Sequence, residues 1–167
     1  PSHLLAYLSH RPLDRLTARE LLTSFGRLHG LEEDAIKDRL DWLITTLSLR
    51  DYIDRPAGRL SSGQRQRISL GRALVHNPPA LVLDEPTNAL DVVGSRDLLD
   101  TLDRLREGGH AILLSTHRLH EIEHRCDRFV IIDKGHIVAV GTRDELVGNS
   151  GELEDAFFHA IEQGAHT

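Results

Sequence analysis

Apolar residues fall into two patterns along this chain: sets at helical spacing and short, uninterrupted aliphatic runs. Leu21, Leu22, Phe25 and Leu28 mark one face of a helix. Thr17-Ala18-Arg19-Glu20 opens it as a capping box, Thr17 accepting from a first-turn N–H and Glu20 reaching back. Gly30 is placed to stop it. Ile36, Leu40, Leu43, Ile44 and Leu47 predict a second helix over about Glu32–Leu47, and Asp51–Arg59, with Pro56 and Gly58, is a connector. A third helix over Ser61–Val75 is closed by Asn77-Pro78-Pro79, since proline cannot continue it.

The aliphatic runs begin with Leu4–Leu8, a candidate strand. Ala80–Leu83 reads as a central parallel strand covered on both faces. A helix over Asp91–Arg106 presents Leu98, Leu99, Leu102 and Leu105 and ends at Gly108-Gly109, before a second buried strand over His110–Ser115. Leu119–Arg125 predicts a short helix. Asp127–Asp133 and His136–Gly141 predict two strands, joined as a hairpin because Gly135 supplies positive φ. Thr142–Val147 is a capped helix and Glu152–Gln163 a last one. Strands alternating with helices give an α/β class with a parallel sheet.

The chemistry is concentrated in Leu60–Asp91. Leu60, Ser61, Ser62, Gly63 and Gln64 form a small polar loop that opens a helix, and a helix N-terminus offers unpaired N–H groups and partial positive charge to phosphate. The run Ala80–Leu83 ends in Asp84 and Glu85. Carboxylates at the carboxyl end of a strand suit a metal ion and a water to be activated. The bland alternatives are a serine N-cap on a surface helix and a surface turn after a strand.

This stretch resembles the ATP-binding-cassette (ABC) ATPase family. Leu60-Ser61-Ser62-Gly63-Gln64 is similar to its signature loop, with Ser62 where a glycine is frequent. Leu81-Val82-Leu83-Asp84-Glu85 resembles its Walker B strand, Asn88-Ala89-Leu90-Asp91 its D-loop, and Ser115-Thr116-His117 its switch histidine. The resemblance implies a partial P-loop NTPase (RecA-like) parallel sheet flanked by helices, with an inserted small helical subdomain. It would divide the chain into a helical part, 13–76, a catalytic core, 77–150, and a C-terminal helix or tail, 151–167. It implies ATP and Mg²⁺ as cofactors. Asp84 would hold the metal, mostly through water, Glu85 would polarise the attacking water, and His117 would contact the γ-phosphate. Leu60–Gln64 and Asp91 would meet nucleotide. The partners implied are an integral membrane permease subunit and a second ABC ATPase domain, identical or not. The location implied is cytoplasmic, peripheral at the inner face of the cell membrane. The phrase LTARELLTSFGRLHGL resembles sodium- and drug-exporter types most. Ser9-His10-Arg11-Pro12 stands where the family carries a glutamine loop; no glutamine is present, and His10 reads as a solvated loop histidine rather than a functional one.

Composition narrows this picture. A net charge of −6 gives no electrostatic footprint for nucleic acid. No apolar run exceeds five residues, where a spanning helix needs about 20, so a membrane role is expected through a partner. The lone Cys126 allows no internal disulfide and reads as a small buried residue. Trp42 reads as packing or an interface anchor. The other histidines form no spaced metal-ligand cluster.

One family element has no counterpart here. Lys37 is followed by Asp38 and Lys134 by Gly135, so neither lysine fits Gly-x-x-x-x-Gly-Lys-Ser/Thr. The expectation is that the chain begins mid-protein, as the C-terminal two-thirds or so of a cassette. Alone it is expected to bind ATP very weakly, not to turn it over, and to expose an apolar sheet face. Two rival readings are a non-transport ABC ATPase of translation or DNA repair and a non-catalytic regulatory cassette. The compact interval from His10 to Leu60 favours transport, and intact Asp84, Glu85 and His117 argue against decay.

Overall fold

The computed structural model describes residues 13–88, 90–148 and 151–164. Leu4–Leu8, His10 and Ala89 lie outside them. The chain divides after Ser115 into two compact units.

The first unit opens with α1 (Ala18–Leu28) and α2 (Glu33–Thr46). The capping box forms as the sequence requires: Glu20 N–H donates to Thr17 Oγ1 at 3.2 Å and Thr17 N–H to Glu20 Oε2 at 2.7 Å. Gly30, at φ 77°, ends α1, with Leu31 N–H bonded to Gly26 O and Gly30 N–H to Arg27 O at 3.1 and 2.9 Å. These are the paired bonds of a Schellman stop. The connector is tied back to α1, since Arg19 N–H donates to Ile53 O and its guanidinium pairs with Asp54 at 2.7 and 3.2 Å.

Helix α3 (Ser62–Leu74) packs on both. Leu22, Ile36, Leu43, Leu47 and Leu74 are fully buried and form the centre of this helical layer. Gly71 permits the close approach: a Cβ there would lie 3.1 Å from Leu22 Cδ2 and 3.3 Å from Leu47 Cδ1.

Strands β1 (Ala80–Asp84) and β2 (Ala111–Ser115) pair in parallel, with Asp84 opposite Ser115. Helix α4 (Val92–Glu107) connects them and buries Leu98, Leu99, Leu102 and Leu105. The sheet departs from expectation in one respect. Leu81 is buried, but Val82 and Leu113 are 79% and 63% exposed, so among the described residues only one face is covered. The expectation of burial on both faces does not hold, and the expected open apolar sheet face is present.

The second unit contains α5 (Leu119–Ile122), β3 (Phe129–Asp133), β4 (His136–Gly141), α6 (Arg143–Val147) and α7 (Leu153–Gly164). β3 and β4 form the expected antiparallel hairpin. Lys134 and Gly135 turn it with φ of 47° and 82°, the double positive φ that suits the right-handed twist of a hairpin. Phe129 and Ile131 are buried, as are Leu153 and Ala156 of α7, which packs on the hairpin and on α6. Arg143 bridges this unit, donating to Glu123 and to Gly151 O at 2.9 Å. That contact holds the Glu123 carboxyl below its ordinary range. α5 and β3 are both shorter than the sequence predicts. Cys126 is half-buried rather than enclosed.

Candidate active site

The acidic pair lies at the carboxyl end of β1, where a parallel sheet leaves a crevice for ligand. Period-2 alternation puts Asp84 on the same exposed face as Val82. Across the ladder Ser115 ends β2, and its Oγ donates a short hydrogen bond to Asp84 Oδ1. The backbone N–H of Glu85 donates to Ser115 O at 3.0 Å and approaches Ser115 Oγ at 3.3 Å. Ser115 therefore fixes both the first carboxylate and the main chain of the second. Glu85 sits at φ 45°, a left-handed conformation that costs a non-glycine residue about 1–2 kcal/mol. Such conformations cluster at functional sites.

Two successive turns follow. Asn88 N–H bonds to Glu85 O at 3.1 Å and Leu90 N–H to Thr87 O at 3.1 Å, with Pro86 and Thr87 buried. They lead to Asp91, whose Oδ1 accepts from Gly94 N–H at 2.7 Å and so caps α4. Asp91 thus has a structural role within its own chain.

The Ser61–Gln64 loop is built as a second capping box. Gln64 N–H donates to Ser61 Oγ at 3.2 Å, and Ser61 N–H to Gln64 Oε1 at 3.0 Å. Ser61 Oγ acts here as acceptor, which leaves its O–H directable toward a ligand. The N–H groups of Ser62 and Gly63 belong to the first turn, for which the helix ladder has no acceptor. Ser61 and Ser62 are exposed and Leu60 is buried beneath them. Gly63 faces Leu90: a Cβ there would lie 3.2 Å from Leu90 Cδ2. The glycine therefore serves packing against the D-loop as well as any close approach of phosphate.

The predicted residues gather into two groups within the first unit, Asp84–Glu85 with Ser115, and Ser61–Gln64 with Leu90 and Asp91. His117 is exposed in the segment after β2 and belongs to the second unit. Two contributors escaped the sequence reading as individual residues, Ser115 and Leu90. Both stand inside recognised motifs, but their roles come from strand register and packing.

The donor set fits magnesium. Mg²⁺ takes hard oxygen ligands, keeps several waters and needs only one or two carboxylates. Exposed Asp84 at a strand end supplies one such ligand. Among the described residues no group of three or more His, Cys, Asp or Glu could hold a metal. No described helix is long and apolar enough to cross a membrane.

Comparison with known proteins gives a consistent result. The family described as ABC transporter matches residues 4–88. The chain is 37% identical over 153 residues to the ABC transporter ATP-binding protein NatA of Bacillus subtilis (strain 168), covering 90% of this chain and 62% of that protein. It is 37% identical over 143 residues to the daunorubicin resistance ATP-binding protein DrrA3 of Streptomyces coeruleorubidus, covering 85% and 45%. Nod factor export ATP-binding protein I of Ralstonia nicotianae is 37% identical over 131 residues, covering 78% and 41%. The chain thus spans between two-fifths and three-fifths of the length of these relatives. Among solved structures, the ATP binding subunit of an ABC transporter superposes with a TM-score of 0.77 at 28% identity, covering 96% of this chain and 66% of that one. The ADP conformation of the cassette MJ1267 gives 0.73 at 25%, covering 87% and 64%. The fold is that of the ABC ATPase cassettes, a P-loop NTPase fold, and with its acidic strand end and capped polar loop the chain belongs to the ABC transporter family.

Proposed function

We propose that this chain is part of the ATP-binding and hydrolysing subunit of an ABC transporter, which couples ATP turnover at a head-to-tail dimer interface to export through a separate membrane permease. Asp84 would hold Mg²⁺, Glu85 would orient and polarise the attacking water, and His117 would contact the γ-phosphate. Ser61, Ser62, Gly63 and Gln64 would grip the ATP carried by the partner cassette, with Asp91 at the same interface. The helical part, 13–76, would face the permease from the inner surface of the membrane. Phosphoryl transfer depends mainly on such positioning and charge neutralisation.

The observation that carries the reading is Asp84–Glu85 at the carboxyl end of a parallel strand, held in register by Ser115 two residues before His117. Export is favoured over import by the resemblance of the α1 sequence to exporter types and by the relatives named for drug resistance and Nod factor export.

The test supplies the element that this sequence does not contain. Joined behind a P-loop-bearing N-terminal segment, the chain is expected to hydrolyse ATP with Mg²⁺. Glu85→Gln is expected to lower turnover by about 10²–10⁴ while ATP binding persists. Turnover unchanged in Glu85→Gln would refute the assignment of the base. ATPase activity of the 167-residue chain alone, abolished by the same substitution, would refute the need for a P-loop.

A further inference from the structure

A cleft of about 580 Å³ opens on the first unit, and none of its lining residues belongs to the site above. Its walls come from α2, α4 and the segments that follow α2, α3 and α4. Arg39 and Trp42 lie on α2, Ser48 and Asn77 just past α2 and α3, Arg104 on α4 and His110 just past it. No acidic side chain lines it, in a chain whose net charge is −6. The Arg39 guanidinium lies 4.2 Å over the Trp42 ring and donates to Leu74 O and Val75 O at 2.8 and 3.2 Å. Arg104 donates to Thr101 Oγ1 at 2.9 Å. His110 Nδ1 is 2.8 Å from Pro78 O. A carbonyl can only accept, so in this contact Nδ1 donates.

The ordinary explanation is that the arginines neutralise helix C-termini. It accounts for Arg39, whose guanidinium meets the last carbonyls of α3, and less for Arg104, which donates to the Thr101 side chain. Those ends are also served by main-chain bonds already: Ser48 N–H to Thr45 O at 3.3 Å, Asn77 N–H to Leu74 O at 2.9 Å and His110 N–H to Leu105 O at 3.1 Å. Beyond their own bonds Arg39 has Nη1, and Arg104 has Nε and Nη1, as N–H donors of the kind that bind phosphate strongly. Ser48 and Asn77 hold φ of 54° and 53° just past their helices, where glycine would be the less strained choice. Their side chains add a hydroxyl and an amide to the rim.

We infer that this cleft is a second ligand site, which takes the phosphate of a small soluble phosphomonoester between Arg39 and Arg104 and its organic part against Trp42 and Leu105. The volume lies in the range of small-molecule sites, about 300–1,000 Å³, and exceeds what a bare phosphate fills.

Trp42 is the only tryptophan, so intrinsic fluorescence reports from the wall of this cleft. The 167-residue chain is titrated with glycerol phosphate and inorganic phosphate, against chloride at matched ionic strength. The expected result is a saturable change with the two phosphates and not with chloride. Arg104→Gln should weaken it about tenfold, with Arg104→Lys in between. Arg104 is exposed and its hydrogen bond stays within its own helix, so both variants should retain the parent melt, which is checked alongside. No saturable change, an equal response to chloride, or an affinity unaltered in a folded Arg104→Gln would each overturn the inference.

Discussion

Removing the Ser115 hydroxyl tests how the acidic pair is held. In Ser115→Ala the bond to Asp84 Oδ1 is lost, together with the contact to Glu85 N–H, while the main-chain bond from Glu85 N–H to Ser115 O remains. A hydrogen bond to a charged group contributes about 1.5–3 kcal/mol. Asp84 and Ser115 both lie on an exposed face, where water competes, so we take about 1 kcal/mol. The assay is a double-mutant cycle of Ser115→Ala, Asp84→Ala and the pair. Urea unfolding is followed by the fluorescence of Trp42, which lies in the same unit as both residues. Low chain concentration and urea itself suppress apolar self-association. With an m-value of about 1–3 kcal/mol/M, each single change should lower the midpoint by roughly 0.3–1 M. The double variant should be less destabilised than the sum of the singles by about 1 kcal/mol. Additivity within about 0.3–0.5 kcal/mol would show that the hydroxyl and carboxylate do not interact, and the account of Ser115 as the group fixing Asp84 would fail.

Three further outcomes follow from the packing and electrostatics. Gly71→Ala should destabilise by about 1–2 kcal/mol in urea, because overpacking against Leu22 and Leu47 outweighs the gain in helix propensity, and a stabilised variant would refute that close approach. Val82→Thr with Leu113→Thr should reduce self-association in sedimentation without loss of the fold, since these two side chains form the open apolar face; an unchanged association state would locate the sticky surface elsewhere. His76 stacks on His29 with ring centroids 3.8 Å apart, and burial first, then His29 and Arg39, lower its affinity for a proton. The unfolded chain then binds that proton more readily, so stability should fall as pH drops through the ordinary histidine range near 6.5, and His76→Gln should flatten that slope in urea midpoints measured across pH.

The parts of the fold legible in the sequence are those set by neighbours a few residues apart. Thr17 with Glu20, Ser61 with Gln64 and Thr142 with Glu145 each announce a helix start and each forms both bonds of its box. Gly30 and Gly135 take the positive φ for which they were read. Asp84 and Glu85 were legible for the same reason, because a strand run ending in two acids is a local pattern. The open face of β1 was not. A continuous aliphatic run reads alike whether one face or both are covered, since periodicity cannot see what lies across the sheet.

The less legible features share a physical origin. Ser115 acquires its role only when β1 and β2 pair with Asp84 opposite it, and one sequence does not print the register of a parallel ladder. Leu90 matters because it meets Gly63 across 27 positions of chain, and the cleft exists because α2, α4 and the segment after α3 come together. The acidic pair and the capped loop are encoded locally, whereas the groups that steady them are encoded in packing. Glu85→Gln should therefore remove chemistry with little change in stability, whereas substitutions that break the steadying contacts, Ser115→Ala among them, should lower stability and chemistry together, a division that the Ser115 cycle and the Glu85→Gln measurement can separate.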